Sequence, residues 1–308
     1  MRIVGASTRV VRWSIASRGA AHRWNEREAL LLAVHTDDGA TGLGEAAPLP
    51  GMSTDTVADA ATAADLLAAR FPATLDTPAH ALAIADRITT APAARFAIEM
   101  ALLAVYAQHT RTSIAALLAP RIPHAELASA IVLDAAIPVA ARCIKIKVDR
   151  GIEHVRAIAA ANPHARLRLD ANRAWTREQT LERLTALADL PIDFCEEPCP
   201  DAHELLDTEL PCPLALDESL IDLAAADLAR ALESPQLAAL MLKPTLLGGF
   251  QRCLALAQLA HRHGVAPIVT HALEGPIGFA ACHELARAIG ADVPVGLGTH
   301  SALQGAYE

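Results

Sequence analysis

Aromatic residues are scarce in this chain, at 3% of the sequence, although 53% of its residues are hydrophobic. A core must therefore be built mainly from Ala, Leu, Ile and Val, which suits the interior of a β/α barrel and the helices packed around it. Positive charge is also in deficit, because the formal net charge is -9. Nucleic-acid binding needs a basic face, so we expect no nucleic-acid partner.

Long apolar runs and paired cysteines are missing too. No uninterrupted apolar run reaches the ~18 residues of a membrane span, and charges interrupt the opening segment MRIVGASTRVVRW. We therefore expect neither a membrane partner nor a signal peptide. The segment EEP separates Cys195 from Cys199, which is not the CxxC spacing of a zinc or redox motif. Scattered cysteines of this kind favour a reducing, cytoplasmic location.

Five charged residues recur in the second half of the chain, each at the end of a short apolar run. They are Lys147, Asp170, Glu196, Asp217 and Lys243. Gaps of about 20 to 26 residues separate them, which is the length of one strand plus one helix in a β/α repeat. Because β/α barrels place their chemistry at the carboxyl ends of the strands, this pattern predicts an active site.

The first third of the chain has a pattern of its own. Strand-like segments are joined at the turn sequence Asp37–Gly39, and helical patterns follow at about residues 54–70 and 93–108. We therefore predict a small α+β capping domain in residues 1–105, to which a tail of about residues 299–308 returns.

From about residue 128, eight apolar runs alternate with Ala- and Leu-rich helical segments. The runs are SAIVLD, CIKIKV, RLRLD, IDFCEE, LALDE, LAALMLK, APIVTH and PVGLG. This alternation predicts a parallel β/α barrel in residues 106–298. The first connection, AAIPVAAR, is too short for a full helix. Thr176, followed by Gln179, predicts the start of a later helix.

Three of the five charged residues are carboxylates that would end neighbouring barrel strands: Asp170, Glu196 and Asp217. A single acid is more often a solvated surface residue, but three at matching strand ends can converge on one point. Hard oxygen ligands with room for water and substrate suit Mg²⁺, with Mn²⁺ as the alternative. The sequence therefore predicts a metal site here.

Lysines flank the three carboxylates. Lys145 and Lys147 lie two residues apart and so face the same side of a strand. A confined space shared near a cation would lower a lysine pKa, which would make one of them a general base. Lys243 would end a strand on the opposite side of the ring. A small-molecule carboxylate substrate would thus lie between two lysines, which suits removal of a proton next to its carboxylate.

Further polar or small residues near the strand ends are candidates for contacts with the metal ligands or the substrate. They are Lys145, Arg168, Asn172, Glu197, His271, Glu274, Gly298 and Thr299. Several have a structural alternative: Arg168 could form a barrel-interior ion pair, Asn172 could shape a turn, and a lone loop His or Glu is often structural. A glycine at a strand end lets a ligand approach the backbone.

At these residues the chain resembles the enolase superfamily, in its muconate-lactonizing subgroup. The matching motifs are KIK ending at Lys147, LDAN at Asp170, EEP at Glu196, DES at Asp217 and LKP at Lys243. The resemblance implies an α/β fold, a modified (β/α)8-type barrel of (β/α)7β form with an N-terminal α+β capping domain. It also implies Mg²⁺ on the three carboxylates and catalysis by Lys147 and Lys243. The mandelate-racemase subgroup uses a His–Asp pair instead, and His271 lacks the matching partner.

Within that subgroup the chain is most similar to the o-succinylbenzoate synthase family, through GLGEAAPLPGMSTDT, RLRLDANRAW and its short length. The resemblance implies syn dehydration of 2-succinyl-6-hydroxy-2,4-cyclohexadiene-1-carboxylate to 2-succinylbenzoate, in menaquinone biosynthesis, through an enediolate stabilised by the metal. Lys147 would abstract the proton and then protonate the departing hydroxyl, while Lys243 would stabilise the enediolate. The chain departs from the family at Gly275-Pro276, where a serine is frequent, and in SRGAAHRWNERE, which matches only at Arg27-Glu28.

Other functions on the same scaffold stay open. Two opposed lysines suit an N-acylamino acid racemase or a dipeptide epimerase equally well, and a muconate-type cycloisomerase is a weaker candidate. Epimerases tend to carry Asp-x-Asp near the eighth strand, where this chain reads VGLGTHS. A relative that binds without catalysis would have little need for both lysines, so the intact set favours an enzyme.

Overall fold

The computed structural model describes residues 1–18, 23–119 and 127–307. The chain begins with a four-stranded antiparallel sheet in the order β3-β2-β1-β4. Its strands are β1 (Arg2–Arg18), β2 (Arg23–Thr36), β3 (Thr41–Ala46) and β4 (Ala73–Thr74). The hairpin predicted at Asp37–Gly39 is confirmed, since β2 and β3 pair on either side of it. Residues 19–22 of the segment SRGAAHRWNERE lie outside the described residues.

Four helices follow the first strands: α1 (Val57–Ala68), α2 (Pro78–Ile88), α3 (Pro92–Thr110) and α4 (Ile114–Leu118). The two predicted helices correspond to α1 and α3. Helix α2 was not predicted from the sequence, although Thr77 accepts a hydrogen bond from the His80 amide and Pro78 stands at the first helical position. Helix α3 packs against β3 so closely that a Cβ on Gly44 would stand 2.0 Å from the Ala97 carbonyl oxygen. Only glycine fits there.

A seven-stranded parallel sheet, in the order β5 to β11, forms the rest of the fold. Its strands are β5 (Ile131–Leu133), β6 (Cys143–Lys147), β7 (Arg166–Asp170), β8 (Ile192–Glu196), β9 (Leu214–Leu216), β10 (Leu237–Leu242) and β11 (Ala266–Val269). The eighth predicted strand, PVGLG, closes the ring through parallel bridges from Val295 to Ser129 and from Gly296 to Thr270. The predicted barrel is therefore confirmed.

Helices cover the outside of this barrel: α5 (Ile152–Ala161), α6 (Arg177–Ala186), α7 (Ser219–Asp222), α8 (Ala225–Glu233), α9 (Pro244–Leu247), α10 (Gly249–Arg262) and α11 (Pro276–Ile289). As predicted, the connection from β5 to β6 contains no helix; all of its residues are described. The predicted start of α6 is also confirmed, since Thr176 and Gln179 form a reciprocal capping box. No described helix has the length and apolar character to cross a membrane.

Buried carboxylates from the first part of the chain cap three helix N-termini. Asp55 accepts the Ala93 amide at 2.8 Å, Glu99 accepts the Phe250 amide at 2.5 Å, and Glu45 accepts the Gly275 amide at 2.6 Å. Each satisfies amides at the start of a helix that have no partner within the helix, and a negative charge is favoured at that end. Through Glu99 and Glu45, α3 and β3 are tied directly to α10 and α11 of the barrel.

The end of the chain contacts the first sheet. The Trp13 indole donates to the Ala302 carbonyl at 2.8 Å, and the Tyr307 ring lies edge-on to Trp13 at 5.5 Å between centroids. The Tyr307 hydroxyl donates to Glu45. The division into a capping domain of residues 1–105 and a barrel domain of 106–298 stays a prediction.

Glu99 makes the stability of the fold dependent on pH. Burial raises its pKa to about 7, although hydrogen bonds from the Gln251 amide and from Arg95 oppose the rise. In the unfolded chain the pKa is about 4.3. The folded protein therefore holds this proton more tightly, and the stabilisation that the proton provides is lost as pH rises from about 4.3 to 7. The effect is on the order of 3 kcal/mol.

We expect Glu99→Gln, which keeps an acceptor for the Phe250 amide, to remove this contribution. The free energy of unfolding of the variant, relative to that of the unmodified chain, should rise between pH 5 and pH 8. Urea denaturation of both proteins at several pH values measures that difference, and other titrating groups cancel in it. A difference that does not change with pH would show that Glu99 is ionised throughout.

Candidate active site

Neighbouring strands bring the five charged residues to one end of the barrel. Lys147 pairs in register with Asp170 across β6 and β7, and Asp170 pairs with Glu196 across β7 and β8. Asp217 follows β9 directly, and Lys243 follows β10. A lysine, three carboxylates and a second lysine therefore stand on five consecutive strands, at their carboxyl ends. Their roles in catalysis stay a prediction.

The three carboxylates form a buried layer neutralised by lysines. Asp170, Glu196 and Asp217 are exposed by only 4%, 1% and 3%. The Lys145 ammonium lies 2.9 Å from an Asp170 oxygen and 2.8 Å from a Glu196 oxygen, while the Lys243 ammonium contacts Asp217. Buried carboxylates need such partners, because an unpaired buried charge is very costly.

The carboxylates also influence each other's ionisation. Burial raises the pKa of Asp217 well above its usual range, and burial together with the charge of Asp170 raises that of Glu196. Burial acts in the same direction on Asp170, but Lys145, together with Lys147 and Lys243, outweighs it and the pKa of Asp170 is lowered. This layer of negative charge thus has a high affinity for positive charge.

Carboxylate partners raise the pKa of Lys145 and Lys243, so neither of these two lysines has the lowered pKa of a general base here, and a lowered pKa near a bound cation stays a prediction. Burial lowers the pKa of each, but contacts with Asp170 and Glu196 for Lys145, and with Asp217 for Lys243, reverse the effect and raise it. Lys147 is half-buried and extends from the strand end beside Asp170, one side-chain layer closer to the barrel mouth than Lys145. The two lysines of the KIK motif therefore differ in position.

Glu197 supports the loop that carries Asp217. It is fully buried and accepts hydrogen bonds from the Asp217 amide at 2.9 Å and from the Ser219 amide at 2.9 Å. Arg173 donates to its other oxygen at 3.1 Å and to the Ser219 hydroxyl at 3.1 Å. Neither residue was predicted from the sequence, although Arg173 directly follows the motif LDAN and Ser219 ends the motif DES.

The predicted neighbours of Asp170 have different surroundings. The backbone amide of Asn172 donates to Asp170 Oδ1 at 3.1 Å, and its side-chain amide donates to the same oxygen. Arg168 instead donates to the Pro294 carbonyl at 2.5 Å and lies 5.0 Å from the centroid of the Phe194 ring. Its nearest carboxylate is Asp193, at 3.8 Å. None of these contacts involves Asp170, and a role of Arg168 beside the metal ligands or the substrate stays a prediction.

Glu274, predicted as a substrate contact, is fully buried beneath the loop after β11. One of its oxygens accepts the Ala272 amide at 2.7 Å and the other accepts the Thr245 hydroxyl. In this structure it therefore shapes the loop. Around Gly298 the protein leaves room for a methyl group, since the nearest atom to an added Cβ is the Ala130 carbonyl oxygen at 3.6 Å, and Thr299 is exposed.

His271, also predicted from sequence, stacks on a residue that sequence analysis missed. The rings of His271 and His300 lie 4.0 Å apart between centroids, with an interplanar angle of 24°. The bridge from Thr270 to Gly296 brings their two segments together. Sequence spacing carries no signal for this pair, because the two residues follow different strands.

The residues present fit a divalent metal ion. Asp170, Glu196 and Asp217 supply hard oxygen donors, which Mg²⁺ prefers, in a layer whose mutual repulsion a cation would relieve. Lysine ammonium groups contact these carboxylates in the structure. Among the described residues, no group of three or more Asp, Glu, His or Cys side chains is already arranged to hold a metal ion.

Comparisons with known proteins place the chain in a family. The family described as Enolase C-terminal domain-like matches residues 125–300, and the one described as MenC, N-terminal domain, matches residues 18–105. The chain belongs to the Enolase C-terminal domain-like family, within the enolase superfamily. The predicted superfamily is thus confirmed, as is the prediction of an enzyme.

Two curated relatives align over most of their length. The o-succinylbenzoate synthase of Edwardsiella ictaluri is 29% identical over 292 residues, covering 92% of this chain and 85% of the relative. That of Klebsiella pneumoniae is 29% identical over 287 residues, covering 88% of this chain and 84% of the relative.

Solved structures share the fold. The dipeptide epimerase from Methylococcus capsulatus, complexed with Mg and the dipeptide L-Arg-D-Lys, superimposes with a TM-score of 0.81 at 24% identity, covering 96% of this chain and 90% of that one. MenC from Desulfotalea psychrophila superimposes with a TM-score of 0.77 at 24% identity, covering 99% of this chain and 96% of that one. They confirm the predicted barrel with a separate N-terminal sheet.

Proposed function

We propose that this chain is an o-succinylbenzoate synthase, a Mg²⁺-dependent lyase that dehydrates 2-succinyl-6-hydroxy-2,4-cyclohexadiene-1-carboxylate to 2-succinylbenzoate in menaquinone biosynthesis. The observation that carries the proposal is the order of charges around the barrel: Lys147, three carboxylates and Lys243 on five consecutive strands. Relatives that carry this name align along most of the chain and support it.

The two lysines would divide the chemistry between opposite sides of the ring. A neutral Lys147 amine takes the proton from the carbon next to the substrate carboxylate. Its ammonium then returns that proton to the hydroxyl on the neighbouring carbon, on the same side of the ring. The C–O bond breaks, water leaves, and the electron pair of the broken C–H bond forms the new double bond of the aromatic product.

Lys243 would act through its charge alone. Its ammonium, held beside Asp217, lies across the barrel mouth from Lys147 and faces the developing negative charge. Asp170, Glu196 and Asp217 would hold Mg²⁺, which when bound stabilises that same charge. Asn172 and Glu197 position Asp170 and the Asp217 loop.

Turnover of the succinyl-hydroxycyclohexadiene-carboxylate, followed by ultraviolet absorbance, tests this proposal. With Mg²⁺ present we expect loss of the diene signal and formation of 2-succinylbenzoate, and excess EDTA should abolish both. No turnover by a folded, Mg²⁺-loaded protein would contradict the proposal.

A racemase is the second candidate, because two opposed lysines could also take and return a proton on opposite faces of one carbon. Such an enzyme would exchange the α-hydrogen of N-acylamino acids or dipeptides for deuterium in D₂O, which proton NMR detects. The absence of an acid from VGLGTHS disfavours a dipeptide with a free amine.

A further inference from the structure

His271 and His300, here called the histidine stack, lie at the rim of the barrel mouth. His271 follows β11 by two residues, next to the strand that ends at Lys243. His300 follows the last barrel segment. The ring of Phe279 lies edge-on to both, at 6.1 Å from His271 and 5.0 Å from His300 between centroids. Packing against this ring fixes the imidazoles in place.

The histidine stack contains ring nitrogens that form no hydrogen bond with the described part of the chain. Both ring nitrogens of His300 are buried, and neither has a hydrogen-bond partner within the part of the chain that the structure describes. Buried polar atoms are nearly always paired, so these nitrogens point to a ligand. His271 Nδ1 accepts the Leu273 amide at 3.3 Å, which places the ring proton on Nε2 and makes that atom a donor.

Cationic side chains influence both imidazoles of the stack. Burial and Arg27 lower the pKa of His300 to about 4. Burial, His300 and the lysines of the barrel mouth lower the pKa of His271. Both imidazoles are therefore neutral donors near fixed positive charge. Arg27 is held by the carbonyls of Leu273 at 3.0 Å and Pro48 at 2.7 Å.

This environment selects between ligand charges. The nearby carboxylates Glu45 and Glu274 are fully buried and already accept internal hydrogen bonds. An anion at the stack would meet N–H donors and positive charge, whereas an ammonium group would be repelled. The site thus favours a carboxylate over the free amine of a dipeptide.

We propose that the histidine stack binds the distal carboxylate of a dicarboxylate substrate, through an N–H of His300 supported by His271. The reacting carbon and its adjacent carboxylate would lie between Lys147 and Lys243. This inference rests on the proposed function, whose substrate carries a succinyl carboxylate remote from the reacting carbon.

The test compares two ligands that differ only at the distal group. 2-Succinylbenzoate carries the carboxylate, and 2-butanoylbenzoate has a methyl group in its place. His300→Phe keeps a ring to pack on His271 and Phe279 but has no nitrogen, whereas His300→Gln keeps a donor. His283→Gln is the matched control, because His283 packs on Phe279 at 4.9 Å but is not part of the stack.

With Mg²⁺ bound, calorimetric titration should show that His300→Phe weakens 2-succinylbenzoate binding by about 10- to 100-fold and leaves 2-butanoylbenzoate binding unchanged. His300→Gln should retain part of the affinity, and His283→Gln all of it. In turnover, KM should rise far more than kcat falls. Equal losses for both ligands, or no loss, would overturn the inference while wild-type turnover stands. An absence of wild-type turnover would overturn the proposed function and this inference together.

Discussion

Lys147→Ala is expected to lower kcat by roughly 10³-fold, because a positioned general base contributes about 10² to 10⁴. Lys147→Arg should lower kcat to the same extent. Its guanidinium keeps the positive charge beside Asp170 but does not release a proton at any pH of interest. Turnover is measured with saturating Mg²⁺ in both variants.

Lys243→Arg is the matched comparison on the other side of the barrel. If Lys243 acts through its charge, the Lys243→Arg variant should keep measurable turnover. Its kcat should be about 10-fold or more above the kcat of Lys147→Arg. If the chain is instead a racemase, both lysines must exchange protons and both arginine variants should be equally inactive. Full activity of Lys147→Arg would exclude Lys147 as the base.

Glu196→Gln and Glu197→Gln should affect different properties although the two residues are adjacent: the first should weaken Mg²⁺ binding and the second should lower stability. Glu196 lies in the carboxylate layer, where its neighbour Asp170 and burial already disfavour its charge. Its replacement should weaken Mg²⁺ binding by about 100-fold and abolish turnover, and the free energy of unfolding should change little because Lys145 keeps Asp170 as a charged partner.

Glu197 instead accepts hydrogen bonds from the Asp217 loop and from Arg173. In Glu197→Gln the new side-chain amide would direct an N–H group at Arg173 or at the loop amides, so we expect a loss of about 1 to 3 kcal/mol of stability. Calorimetric Mg²⁺ titration and urea unfolding separate the two effects. Loss of Mg²⁺ binding in Glu197→Gln at unchanged stability would make Glu197 a ligand.

Sequence spacing was sufficient to predict the barrel and the residues at its mouth. Each barrel strand is a short apolar run, and the residue that ends it carries the charge, so local pattern and strand order together placed Asp170 next to Glu196. The irregular first connection and the capping box of α6 are also local features, and both were predicted.

Contacts between distant segments could not be predicted in this way. Lys145 bonds Glu196 across 51 residues, and Glu45 bonds Gly275 across 230. Neither the pairing nor the resulting rise in the pKa of Lys145 has a signature in spacing, because both depend on how strands and sheets pack. The stack of His271 on His300 was missed for the same reason.

The hydrogen bonds of Glu45 constrain how this enzyme can change during evolution. A single carboxylate from β3 accepts the amides of Gly275 and Gly278 and the hydroxyl of Tyr307. A Cβ on Gly275 would lie 2.2 Å from the Tyr307 hydroxyl, and one on Gly278 would lie 3.3 Å from Glu45. Three distant stretches of sequence must therefore vary together. We expect a substitution at any one of residues 45, 275 and 307 to be tolerated only together with compensating changes at the other two, whereas a change of substrate should act on the histidine stack instead.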